Sequence, residues 1–156
     1  MTKIVWAMIL SILCAGASWS SVARGEEALI DDLRLERDKG ALAISFAVKQ
    51  CFNKKMEEAI RAGVPTTFNF FVKLQRKRPV IWDKKNARHQ FRHSIYYDNL
   101  QKEFCIWLEE KGEEIRVMTL EEAKEYMARV DGFAVAAVRD LKEGRYELAI
   151  KAELHP

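Results

Sequence analysis

The chain has 156 residues, enough for one domain of ordinary size and cramped for two. Apolar residues make up 49% and charged residues 31%, a balance that excludes a disordered tail and a multi-span membrane protein. The formal net charge of +3 is too small to select a class of partner.

Met1-Thr2-Lys3 is short and positive, and residues 4–17 are uncharged and dominated by Ile, Val, Trp, Met, Leu and Ala. That is the layout of a secretory signal. Ser21 and Ala23 supply the small side chains needed for cleavage after Ala23, so residues 1–23 read as a signal peptide and 24–156 as a single β-sandwich domain. The alternative is retention as an N-terminal anchor, because no charge lies between Lys3 and Arg24. Either way the domain is expected to be exported, periplasmic or attached to the outer face of the inner membrane. Cys14 lacks the small preceding residue expected for lipid attachment. Cys51 and Cys105 remain in the domain, where an oxidising compartment allows a disulfide; the alternative, which the sequence slightly favours, is two separate buried thiols.

After Gly25, Ile30, Leu33 and Leu35 interrupt polar residues, and Asp38-Lys39-Gly40 signals a turn. Leu42, Ile44, Phe46 and Val48 then fall on one face of a strand, which makes a first hairpin. The period changes over residues 54–62, a short helix with Met56, Ala59 and Ile60 on one face, Asn53 as its cap and Gly63 as its stop. Residues 66–78 alternate Phe68, Phe70, Val72 and Leu74 with Asn69, Phe71, Lys73 and Gln75, a strand that Pro79 should end. Residues 87–97 and 104–108 are further strands, with a turn over 110–113 leading into 115–118. Thr119-Leu120-Glu121-Glu122 has capping-box spacing and opens a helix to about Arg129, broken by Asp131-Gly132. Strands over 133–138 and 146–154 close the chain, joined through Glu143-Gly144. Seven or eight short strands with two inserted short helices predict an all-β fold with minor α, an immunoglobulin-like antiparallel β-sandwich in architecture.

The run from Ala59 to Phe68, including Gly63-Val64-Pro65, continues through Leu74, Arg76, Arg78, Trp82-Asp83 and Tyr97-Asp98-Asn99-Leu100. In these residues the chain resembles the bacterial domain of unknown function 4390 family, uncharacterised exported proteins. In that family a helix ending in Gly-Val-Pro feeds a long strand with an Arg-x-Arg pair, followed by Trp-Asp and a Tyr-x-x-Leu strand. Leu120-Glu121-Glu122-Ala123 and Gly144-Arg145-Tyr146 resemble its later helix and final strand. The similarity spans most of residues 29–154. Family members continue into a proline- and aromatic-containing tail, where this sequence stops at Pro156. The resemblance implies an envelope location and, because members are often encoded near sensor-kinase genes, a link to a sensor kinase. It carries over no activity, cofactor or ligand.

His89 and His93 lie four apart on a strand, roughly 13 Å, too far to share one metal ion. Ser45, Ser94, Cys51 and Cys105 sit in no recognisable catalytic setting, so the sequence selects no catalytic residue, no metal site and no cofactor. Residues 109–114 read as an acidic hairpin of solvated side chains. The distinctive feature is charge. From Lys73 to His93 eight basic residues meet the single acid Asp83. Arg76 and Arg78 project to one face, where they hold an anion or pair internally with Asp83. Candidate binding residues are therefore Arg76, Arg78, Lys84, Lys85 and Arg88, with Trp82 and Asp83. The leading expectation is a non-enzymatic module that binds an envelope protein such as a sensor kinase. The alternatives are an anionic membrane-surface or polyanion-binding module and an undetected hydrolase. Nucleic acid is not expected as a partner, since no recognition helix or stacking motif is present.

Overall fold

A computed structural model describes residues 28–77 and 87–155. The expected signal segment, residues 1–23, lies outside these. No helix among the described residues is long and apolar enough to cross a membrane.

The elements run β1 (Leu29–Asp38), β2 (Ala41–Lys49), α1 (Lys54–Arg61), β3 (Thr66–Lys77), β4 (Ala87–Asp98), β5 (Glu103–Leu108), β6 (Glu113–Val117), α2 (Leu120–Ala128), β7 (Arg129–Ala137) and β8 (Arg145–His155), with one 3-10 turn at Val138–Asp140. They form two antiparallel sheets, one ordered β1-β2-β7 and the other β6-β5-β4-β3-β8. This is the expected two-sheet sandwich with two inserted helices. The likeness to immunoglobulin domains is one of layers, because β3 to β6 run as consecutive neighbours within a single sheet.

β3 sets the core. Its two-residue period buries Phe68, Phe70, Val72 and Leu74 on one face and turns Asn69, Phe71, Lys73 and Gln75 away. Phe70 meets Phe46 of β2 across the sandwich at a ring separation of 5.8 Å, and Phe91 of β4 meets Phe133 of β7 at 4.5 Å. So β2 lies over β3 and β7 over β4, which leaves β1 on the β8 side. Over β5 and β6 the covering layer is α2, through buried Leu120, Ala123 and Met127. The Nζ of Lys124 ties the helices together, 2.7 Å from Glu57 of α1 and 3.1 Å from Glu121 of its own helix.

Local chemistry explains the boundaries. Asn53 accepts a hydrogen bond from the Met56 amide at 3.0 Å and Thr119 accepts one from Glu122 at 3.3 Å, so both helices start where a polar side chain satisfies a free N–H. One boundary differs from expectation: Asp131-Gly132 does not separate helix from strand. The strand has already begun at Arg129, and the two residues form a bulge against β2, between the pairings Phe46↔Val130 and Ile44↔Phe133. Gly132 has φ +65° and its amide donates to the Ser45 hydroxyl at 2.9 Å, which satisfies the amide that the bulge takes out of the ladder.

Phe70→Ala should cost about 3–5 kcal/mol in urea unfolding, because a fully buried ring packed from three sides leaves a cavity. Leu100→Ala, at a residue 94% exposed, should stay within about 0.5 kcal/mol.

Candidate functional site

Of the expected binding residues, Arg78, Trp82, Asp83, Lys84 and Lys85 lie outside the described residues. Arg76 and Arg88 are described, and the structure separates them. Arg76 continues the inward row of β3 and donates from its guanidinium to the backbone carbonyl of Glu143, just before β8. A Cβ at Gly144 would come within 2.6 Å of its Nε, and Gly144 has φ +150°. The Tyr146 hydroxyl donates to the Lys142 carbonyl at 2.9 Å in the same connection. Arg76 therefore fastens the entry of β8 to the end of β3. Arg88 is on the opposite, outward face of the larger sheet, directly across from Lys73.

A second feature was not legible as a site. Among the described residues β1 is an edge strand paired only with β2. Its Ile30 and Leu35 stand opposite Val48 and Ile44, so they face the inner side, yet they are 37% and 54% exposed. Leu33, in the irregular stretch between them, is 45% exposed. On β8 the inward residues Leu148, Ile150, Ala152 and Leu154 are only half-buried. The sandwich thus gapes along one side, with apolar residues on both lips and edge backbone on each.

The histidines do different work. His89 bonds through Nε2 to the Val135 carbonyl at 2.7 Å and packs against Phe133. It borders a cavity of about 280 Å³ between Leu74, Val135, Leu141 and Tyr146, where His89 and Tyr146 are used internally and Asp140 is the one acidic side chain of the lining. His93 is fully buried, with Nδ1 3.1 Å from the Met127 carbonyl and Nε2 3.0 Å from Oε2 of Glu110. Both ring nitrogens thus have an oxygen within hydrogen-bond distance, one of a backbone carbonyl and one of a carboxyl. The Glu110 side chain is only 3% exposed, which corrects the expectation that residues 109–114 are all solvated. Burial alone would push the Glu110 carboxyl up, but the hydrogen bond and charge of His93 outweigh it and hold the group below the usual carboxylate range. Its other oxygen, Oε1, is buried without a partner among the described residues.

No group of three or more His, Cys, Asp or Glu residues among those described is placed to hold a metal ion. The disulfide open to Cys51 and Cys105 is not formed, and both thiols are free. Cys51, after β2, donates to the Val48 carbonyl at 3.3 Å, and burial pushes its thiol up to about 11. Cys105 is buried in β5.

A family model described as domain of unknown function (DUF4390) matches residues 25–156. The chain belongs to this family. No curated protein and no solved structure matches the chain. Two family motifs meet in space here and both do turn chemistry. Gly63, φ +84°, ends α1 with bonds from its own amide to Ile60 and from Val64 to Ala59. A Cβ there would sit 3.1 Å from the Asn99 side chain in the β4–β5 turn. In that turn Asp98 accepts from the amides of Leu100 at 2.8 Å and Gln101 at 3.1 Å.

A depressed folded value means that Glu110 contributes stability above its unfolded value, near pH 4.3, and loses it as pH falls through the folded one. In urea unfolding, Glu110→Gln should therefore be less stable than the wild type by about 1–3 kcal/mol at pH 7, and the gap should close as pH falls through the folded value of Glu110.

Proposed function

We propose that the chain is an exported, non-enzymatic binding module of the cell envelope, which receives an extended segment of another protein along the open side between β1 and β8. The observation that carries this reading is the pair Ile30 and Leu35, on the inner side of an edge strand and 37% and 54% exposed, with Leu33 between them 45% exposed. A guest strand added to β1 would complete its free edge with main-chain hydrogen bonds. Every second guest side chain would then lie between the β1 pair and Leu148, Ile150, Ala152 and Leu154 of β8. The fitting guest is a segment with an apolar residue at every second position.

The non-enzymatic part is supported by how the candidate nucleophiles are used. The Ser45 hydroxyl accepts from Gly132, the Ser94 hydroxyl is bonded to Thr67 at 3.2 Å, and the Cys51 thiol is pushed up by burial. The gene neighbourhood of the family makes the extracytoplasmic part of a sensor kinase the first partner to try. A second reading, contact with an anionic surface, is favoured by a separate observation, the opposed cations Lys73 and Arg88.

A photocrosslinker at Leu33 in intact cells should capture one envelope protein through an extended segment of the alternating pattern, mapped by mass spectrometry of the adduct. Leu35→Lys should abolish the adduct while changing stability by no more than about 0.5 kcal/mol, because the residue is exposed. Adducts only with a second copy of the chain, or an adduct that survives Leu35→Lys, would sink the proposal.

A further inference from the structure

The outward face of the larger sheet carries a charge arrangement that costs stability. Register sets Lys73 of β3 directly opposite Arg88 of β4, and Lys77 of β3 directly opposite Arg145 of β8. Like charges so placed weaken a sheet. Lys77 has Glu147 at 3.4 Å, whereas Lys73, Arg88 and Arg145 make no ion pair among the described residues. Elsewhere on the same face the cations are matched: Arg92 with Glu109 at 3.4 Å, Arg116 with Glu114 at 2.9 Å, and Lys151 with Glu153. The surplus is therefore local to the ends of β3, β4 and β8 near the 77–87 connection.

Lys73 and Lys77 are four residues apart on one strand face, roughly 13 Å, so the two opposed pairs cannot close together on one phosphate. They suit an array of anions spread over a surface. The same face turns Phe71 outward two positions from Lys73, while the outward rings of Tyr96 and Trp107 lie at the far end of the sheet, Tyr96 about 26 Å along β4 from Arg88. Cations beside an outward ring on an open sheet match a lipid–water interface, where rings sit at headgroup level and Lys or Arg meets phosphate. A single-stranded polyanion is instead held in a groove that tracks its backbone.

We propose that this face docks on anionic lipid headgroups, with Lys73, Arg88, Lys77 and Arg145 as the contacts and Phe71 among them. The proposal rests on the second reading above, which it narrows to lipid, and stands without the open side between β1 and β8.

The test is flotation of the full-length chain with vesicles of phosphatidylcholine, alone or with about a third phosphatidylglycerol. The wild type should prefer the anionic vesicles, less so at high salt, and Lys73→Gln with Arg88→Gln should cut that preference by roughly tenfold or more. Removing the opposed charges should also raise the melting temperature, by roughly 1–4 °C. An unchanged preference in the double variant overturns the proposal. So does a preference lost only in Lys84→Gln with Lys85→Gln, or a lower melting temperature, which would make the cations structural. Loss of heparin binding with vesicle preference intact would assign the face to a soluble polyanion instead.

Discussion

β3 runs through the larger sheet with a partner on each side, and its even-numbered residues are the row on which both layers are built. Phe70 meets Phe46 across the sandwich, Phe91 beside it, Phe68 along its own strand and the edge of the His93 ring. Because successive side chains point to opposite faces, burying this row forces Phe71, Lys73, Gln75 and Lys77 outward. A slip of one residue would bury Lys73 and expose Phe70, so hydrophobic burial locks the register against a large penalty. That lock also brings Lys73 to Arg88 and Lys77 to Arg145. The repulsion on the outer face is smaller than the cost of the slip, and the fold tolerates it.

The residues that mark the family serve the same frame. Gly63 takes a left-handed conformation that stops α1, and Asn99 occupies the space where a side chain at that position would go. Asp98 closes the adjoining turn through two backbone amides, which holds its carboxyl below the usual carboxylate range. Arg76, which fits the family's Arg-x-Arg, reaches the Glu143 carbonyl and leaves room for no side chain at Gly144. These contacts fix where β3, β4 and β8 begin and end. Gly63, Asp98, Asn99 and Arg76 are thus engaged in turns and strand ends, whereas Leu100 of the same motif stands 94% exposed.

What the sequence revealed follows from the range of each interaction. The period of β3 and β4, the caps Asn53 and Thr119 and the stop at Gly63 depend on neighbours a few residues away, and all were legible. Arg76 was legible as an unusual cation but not in its role, since its partner Glu143 is 67 residues on. Glu110 looked like a turn residue because its burial depends on His93, 17 residues earlier and on the neighbouring strand. Asp131-Gly132 looked like a helix breaker because the Ser45 hydroxyl that receives the Gly132 amide is 87 residues away. The opposed pairs Lys73–Arg88 and Lys77–Arg145 needed strand order and register, neither of which composition contains. The open side needed the full layer arrangement, because Leu33 and Leu35 have the spacing of core residues and are exposed only where the covering sheet ends.

β8 belongs to both candidate surfaces and constrains how they coexist. Its inward residues, Leu148, Ile150, Ala152 and Leu154, border the open side, while Arg145 stands with Lys77 on the outward face. Successive residues of one strand thus border the open side and the basic face from opposite sides of the sheet. A headgroup layer lying against the outward face would leave the lip between β1 and β8 pointing along the plane of the layer, free to take a strand from a neighbour in the same membrane. Opposite faces of a strand also mean that charge removal at Lys73 and Arg88 leaves the apolar row untouched, and a charge placed at Leu35 leaves the basic face untouched. The two surfaces are therefore separable by substitution although a single strand carries part of each.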